Sequence, residues 1–147
     1  MHWIYFLLAI LAGTMMPTQA AVNHKLATHV QSPFLSAFIS FAVGTLALFV
    51  YLIATGVPLG NLTQARSAPA IAWIGGILGA FFVTAVIVTV PRLGVALTFS
   101  LVILGQMMAT LPIDHVGFLG MAVKEINFPR IMGVLLIVAG VILIRRF

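Results

Sequence analysis

Residues 70–90 read Ala-Ile-Ala-Trp-Ile-Gly-Gly-Ile-Leu-Gly-Ala-Phe-Phe-Val-Thr-Ala-Val-Ile-Val-Thr-Val, twenty-one positions without one ionisable side chain. Wound as an α-helix at about 1.5 Å per residue, such a run is about 30 Å long, the thickness of a bilayer's hydrocarbon core. Four further runs of the same kind flank it, at 3–22, 33–54, 93–113 and 127–145. The last of these reaches spanning length only when its apolar stretch from Ile131 is carried back to about residue 127. The spacing therefore predicts an all-α membrane protein of five transmembrane helices, with residues 1–147 as a single transmembrane domain.

Composition excludes the soluble alternative. Hydrophobic residues make up 63% of the 147-residue chain and charged residues 6%, against roughly 25% charged in soluble domains. A chain this short cannot bury that much apolar surface within itself, so the remainder must face lipid. Seven Lys and Arg against two acids give a net charge of +5. The basic residues stand mostly singly between apolar runs, unlike the clustered face of a nucleic-acid binder, so no nucleic-acid partner is expected. The chain has no cysteine, which removes disulfides and thiol chemistry.

Local signals agree with five spans. Pro33 and Pro129 sit at positions where a helix start tolerates a missing N–H. Trp3, Tyr5, Tyr51 and Trp73 fall near span ends, at the depth favoured by amphipathic rings. The connections are expected at 23–32, 55–69 and 114–128, with Pro91-Arg92 as a tight turn. Pro17-Thr18-Gln19-Ala20-Ala21 has some likeness to a signal-peptide cleavage site. No Lys or Arg precedes the apolar run, however, and the run is longer than a usual signal core, so it is expected to stay as the first span.

An odd number of spans puts the termini on opposite sides. Arg66, Lys124 and Arg130 then share the side of the N-terminus, and Lys25, Arg92, Arg145 and Arg146 the other. Three against four gives little orienting bias under the positive-inside rule. Dual insertion, with two copies pairing as an antiparallel homodimer, is the expectation. Such a pair would imitate the inverted repeats that place a transporter's site near the bilayer midplane.

In lipid, small residues mark helix contacts. Gly75, Gly76 and Gly79 in the third span, Ser40 and Gly44 in the second, and Gly133 and Gly140 in the fifth are expected packing positions. Polar groups inside a membrane are costly and mark function. Gln19 and Asn23 lie four apart on one helix face, one turn beyond Met15, with Pro17 expected to interrupt the helix. Gln106 lies deepest in the fourth span, beside Met107, with Ser100 and Thr98 one and two turns earlier. Arg92 either turns inward to attract an anion or snorkels to lipid phosphates. Asp114, beside His115, is the only acid near a span and the one candidate for coupling to protons. His2, His24 and His29 show no metal-ligand spacing, and no paired carboxylates or nucleophile–base set appears, so neither a metal, a cofactor nor an enzyme is expected.

Several stretches carry a family resemblance: Gln19-Ala20-Ala21-Val22-Asn23-His24-Lys25-Leu26, Ser40-Phe41-Ala42-Val43-Gly44-Thr45, Trp73-Ile74-Gly75-Gly76, Val90-Pro91-Arg92-Leu93-Gly94-Val95-Ala96-Leu97-Thr98-Phe99, and Ile113-Asp114-His115-Val116-Gly117. Together they resemble the YdcZ-like proteins of the drug/metabolite transporter superfamily, over nearly the whole chain. The resemblance implies a five-helix bundle in a bacterial inner membrane, antiparallel assembly, and a carrier of small organic solutes, more an exporter than an importer. Two departures bear on mechanism. The buried Glu used by the small multidrug resistance proteins is missing, so their cation–proton exchange does not transfer. Met121-Ala122-Val123-Lys124-Glu125 also lacks the proline- and arginine-rich character of that loop in the family.

The expected function is a secondary transporter working by alternating access as an antiparallel homodimer. Gln19, Asn23, Gln106, Ser100 and Arg92 would supply polar contacts, with Met15, Met107 and Phe82 as walls. The alternatives are an accessory subunit of a heterodimeric transporter and a passive channel.

Overall fold

The computed structural model describes residues 3–147. His2, weighed above as a metal ligand, lies outside them. Five α-helices follow one another: α1 Trp3–Val30, α2 Pro33–Ala54, α3 Ile74–Leu93, α4 Val95–Val116 and α5 Phe128–Arg146. 3₁₀ segments at Leu59–Ser67, Ala70–Trp73 and Phe118–Gly120 lie in the connections. All five spans, counting Ala70–Trp73 with α3, are long and apolar enough to cross a membrane.

Three boundaries differ from the sequence expectation. The first helix does not end at residue 22 but runs on to Val30, leaving a two-residue turn, Gln31-Ser32, where a ten-residue loop was expected. Residues 23–30 are polar enough to look like a loop, but they hold no glycine or proline to stop a helix. Helix α2 starts where Ser32 caps it, its hydroxyl accepting from the N–H of Leu35, with Pro33 next in line. Nor does Pro17 interrupt α1: the helix passes through it, and only the Gly13 carbonyl loses its helical donor. Finally, Pro91-Arg92 is not the turn between the third and fourth spans. Both residues belong to the last turn of α3, and the break comes at Gly94, whose φ of +81° suits a residue without a Cβ.

The chain divides into two compact units, one ending at Arg92 and the other running from Leu93 to Phe147. In the first, α1 and α2 form an antiparallel hairpin. Ala37 of α2 packs with Val83 and Ile87 of α3, and Ala27 and Phe82 cover them. The ring of Phe41 lies 3.4 Å from where a Cβ on Gly79 would stand, an ordinary van der Waals distance, so α2 and α3 meet there without requiring a glycine. A Cβ added at Gly44, Gly75, Gly76, Gly133 or Gly140 would meet no atom within 4 Å.

In the second unit α4 and α5 form another antiparallel hairpin. Gly117, in the left-handed conformation with φ +60°, ends α4, and its N–H returns to the carbonyls of Ile113 and Asp114. Asn127 caps α5 by accepting from the N–H of Arg130. Arg145 and Arg146 occupy the last turn of α5, where cations favour the carbonyl end of the helix dipole.

Burial is inverted relative to a soluble protein. The fully buried apolar side chains are few and small, while Phe38 is 71% and Phe81 75% exposed. Large apolar side chains stand outward on every helix. In a bilayer these surfaces cost nothing, because lipid tails are as apolar as the side chains themselves.

Candidate functional site

The Gln31-Ser32 turn sets the register of the α1–α2 hairpin. With equal rise on both helices, positions whose numbers sum to about 63 lie at one level. Asn23 thus faces Ser40, and Gln19 faces Gly44. The hydrogen bonds follow this register. The Ser40 hydroxyl donates to Asn23 Oδ1, and the Ser36 hydroxyl donates to the Asn23 carbonyl at 2.7 Å. Ser36 is wholly buried and Asn23 is 3% exposed. The Asn23 amide nitrogen, equally buried, has no partner among the described residues. Two donors without an acceptor in so apolar a setting are costly to leave unmade.

Beside this junction lies a cavity of about 240 Å³, lined by Gln19, Ser40, Phe41, Gly44, Thr45 and Leu48. Its chemistry is mixed. The Gln19 amide supplies donors and an acceptor and makes no hydrogen bond among the described residues. Ser40 keeps acceptor capacity after donating to Asn23. The Thr45 hydroxyl is already turned to the Phe41 carbonyl at 2.8 Å. Phe41 and Leu48 give it apolar walls, and Gly44 leaves room where a side chain would intrude. Ser40 and Gly44, singled out in the sequence for packing, share this cavity with Gln19, singled out for binding. Thr45 was not singled out; the register rule above is the signal that finds it.

Other expected site residues lie elsewhere. Met15 stands exposed on α1, one turn before Gln19. Phe82 covers the small core of the first unit. Arg92 lines a second cavity, of about 290 Å³, together with His24, Thr28, Gln31 and Ser32. Ser100, Gln106 and Met107 all belong to α4. There Gln106 is exposed, and the Ser100 hydroxyl is returned to the Ala96 carbonyl at 2.8 Å. Thr98, also on α4, is 2% exposed and its hydroxyl has no partner among the described residues.

Asp114 has a defined partner. Its carboxylate pairs with the Arg130 guanidinium, the two side chains being 31% and 28% exposed. Arg130 also donates to the Lys124 carbonyl at 2.9 Å, and the N–H of Lys124 returns to the Asp114 carbonyl at 2.9 Å. His115 Nδ1 accepts from the N–H of Ile126 at 3.4 Å. The acid and the imidazole therefore both tie down the α4–α5 connection. Among the described residues no three His, Asp or Glu side chains gather as a metal site would need.

A family model described as "Putative inner membrane exporter, YdcZ" matches residues 4–143. The chain belongs to the YdcZ family. It is therefore a multi-pass inner-membrane protein of an exporter family, and its five apolar helices fit that setting. No curated protein and no solved structure matches this YdcZ-family chain.

Proposed function

We propose that this YdcZ-family protein is a secondary exporter of small organic solutes, working by alternating access as an antiparallel homodimer, with the Gln19–Ser40 cavity as the polar part of its substrate site. One observation carries the reading: an open cavity holding an exposed Gln19 amide and the Ser40 hydroxyl, next to a buried Asn23 amide without an acceptor among the described residues, on the surface of a membrane-spanning helix pair. Gln19 stands twelve residues before the Gln31-Ser32 turn, or about 18 Å along the helix. Residues 23–30 emerge from the hydrocarbon core, so Gln19 lies about one helical turn inside its edge, within reach of a solute entering from that surface. The cavity suits a solute with an apolar body and one or two hydrogen-bonding groups.

Gln106 of α4, with Ser100 and Met107, is assigned to contact with the transported solute, as are Met15 and Phe82 on the apolar side. Asp114 is assigned to holding the α4–α5 connection, since its carboxylate is occupied by Arg130. The homodimer rests on the five spans, on the three-to-four division of basic residues, and on the open faces at Gly75, Gly76, Gly133 and Gly140, where a second copy can approach closely.

Purified protein in proteoliposomes, loaded with a panel of metabolites and given an imposed pH gradient, tests the proposal. At least one solute leaves faster than from empty liposomes, and Gln19→Ala and Gln106→Ala each slow it by tenfold or more. Transport unchanged in both variants refutes the site. Transport that appears only when a second protein is added refutes the homodimer in favour of an accessory subunit.

A further inference from the structure

The second cavity, at the end of the first unit where Gln31-Ser32 turns and α3 finishes, has a different chemistry from the first. Arg92 lines it with a permanent positive charge. His24 carries at least one ring N–H in any protonation state. Ser32 already accepts from the N–H of Leu35, so its own hydroxyl hydrogen is available to the cavity. The Gln31 amide adds further donors, and makes no hydrogen bond among the described residues. Ile87 and Val88 close the apolar side.

No carboxylate of the first unit can answer Arg92, because the two acids of the sequence, Asp114 and Glu125, both lie beyond residue 92. Asp114 is engaged by Arg130, and that is the one ion pair among the described residues. Arg92 thus lines a cavity of about 290 Å³, surrounded by donors and without a counter-ion. The start of α2, a 22-residue helix, opens onto the same cavity through Ser32 and Pro33, and its dipole adds positive potential there.

We propose that this cavity binds an oxyanion of the phosphate class, held by the Arg92 guanidinium in the two-pronged manner that guanidinium offers phosphate. The anion is either the phosphodiester of a lipid headgroup or a free phosphate-bearing solute. The site lies apart from Gln19 and stands whether or not the Gln19 cavity carries substrate.

The test uses the full chain in nonionic detergent after delipidation. Inorganic phosphate binding is followed by ³¹P NMR line broadening, and retention of phosphatidylglycerol is counted by native mass spectrometry. The wild-type protein binds one equivalent of at least one of these ligands. Arg92→Gln weakens that binding by tenfold or more, and Arg92→Lys, which keeps the charge but loses the two-pronged contact, falls between Arg92→Gln and the wild type. Arg66→Gln, in the exposed Leu59–Ser67 segment, leaves it unchanged. Lipid bound without displacement by phosphate identifies the headgroup as the source; displacement by phosphate at millimolar concentration identifies a free anion. Circular dichroism of each variant confirms folding. Absence of binding by the wild type, equal binding by Arg92→Gln, or equal loss in Arg66→Gln overturns the proposal.

Discussion

Asn23 and Ser40 offer the sharpest energetic test of the α1–α2 hairpin. Ser40→Ala removes the donor to Asn23 Oδ1 and leaves a 3%-exposed amide with both ends unpaired. A buried polar atom stripped of its partner costs about 1–3 kcal/mol in water-soluble proteins. Within bilayers interhelical hydrogen bonds average only about 0.6 kcal/mol, with maxima near 1.7. Ser40→Ala should therefore destabilise by about 1–1.5 kcal/mol. Asn23→Ala loses the same bond but also removes the unsatisfied amide nitrogen, and the Ser36 bond to its backbone carbonyl survives. Its net cost should stay below about 1 kcal/mol. The double variant should then be little worse than Asn23→Ala alone, giving a coupling energy of about 1 kcal/mol. The assay is reversible unfolding of the detergent-solubilised protein by sodium dodecyl sulfate, followed by circular dichroism. Independent sites add to within about 0.3–0.5 kcal/mol. Additivity within that margin would show that the two residues do not meet and that the register drawn from the Gln31-Ser32 turn is wrong.

Three more outcomes follow from the geometry. Gly117→Ala should destabilise the α4–α5 hairpin by more than the 1–2 kcal/mol or so of a left-handed alanine, because its Cβ would stand 2.7 Å from Val123 Cγ2 and 2.9 Å from the Met121 carbonyl oxygen; the same unfolding assay measures it. Arg130→Gln should cost no more than about 1 kcal/mol, as a half-exposed pair does, yet speed amide hydrogen exchange at Lys124 and Ile126, whose N–H groups are held beside it. Reporter fusions to the C-terminus should give signal on both sides of the membrane; signal on one side alone contradicts dual insertion.

Sequence periodicity reached the number and type of elements because hydrocarbon thickness dictates run length, and no tertiary contact can override that in lipid. It faltered where polarity and helicity part company. Residues 23–30 are polar because they emerge from the hydrocarbon core, not because the helix ends, so Asn23 stands two turns inside α1 instead of in a loop. Pro91 misled in the same way, since a helix tolerates proline when nearby groups absorb the lost bond, and Gly94 with its positive φ was the true break. Gln19 and Asn23 were legible as a polar pair from their four-residue spacing. Their union with Ser40 and Thr45 was not, because it depends on the length of a turn that the composition concealed. Asp114 was legible as the lone acid near a span, but its partner Arg130, sixteen positions away, required the α4–α5 hairpin to be drawn.

Carrier action by way of the Gln19 cavity is tested most directly by counterflow. Proteoliposomes filled with a high concentration of a transported solute and placed in a trace of the labelled form should accumulate label transiently, well above its equilibrium level. Gln19→Ala should abolish most of that overshoot while the protein remains folded. Label that rises to equilibrium without overshoot would mark a channel, and an overshoot as large in Gln19→Ala as in the wild type would remove the cavity from the pathway.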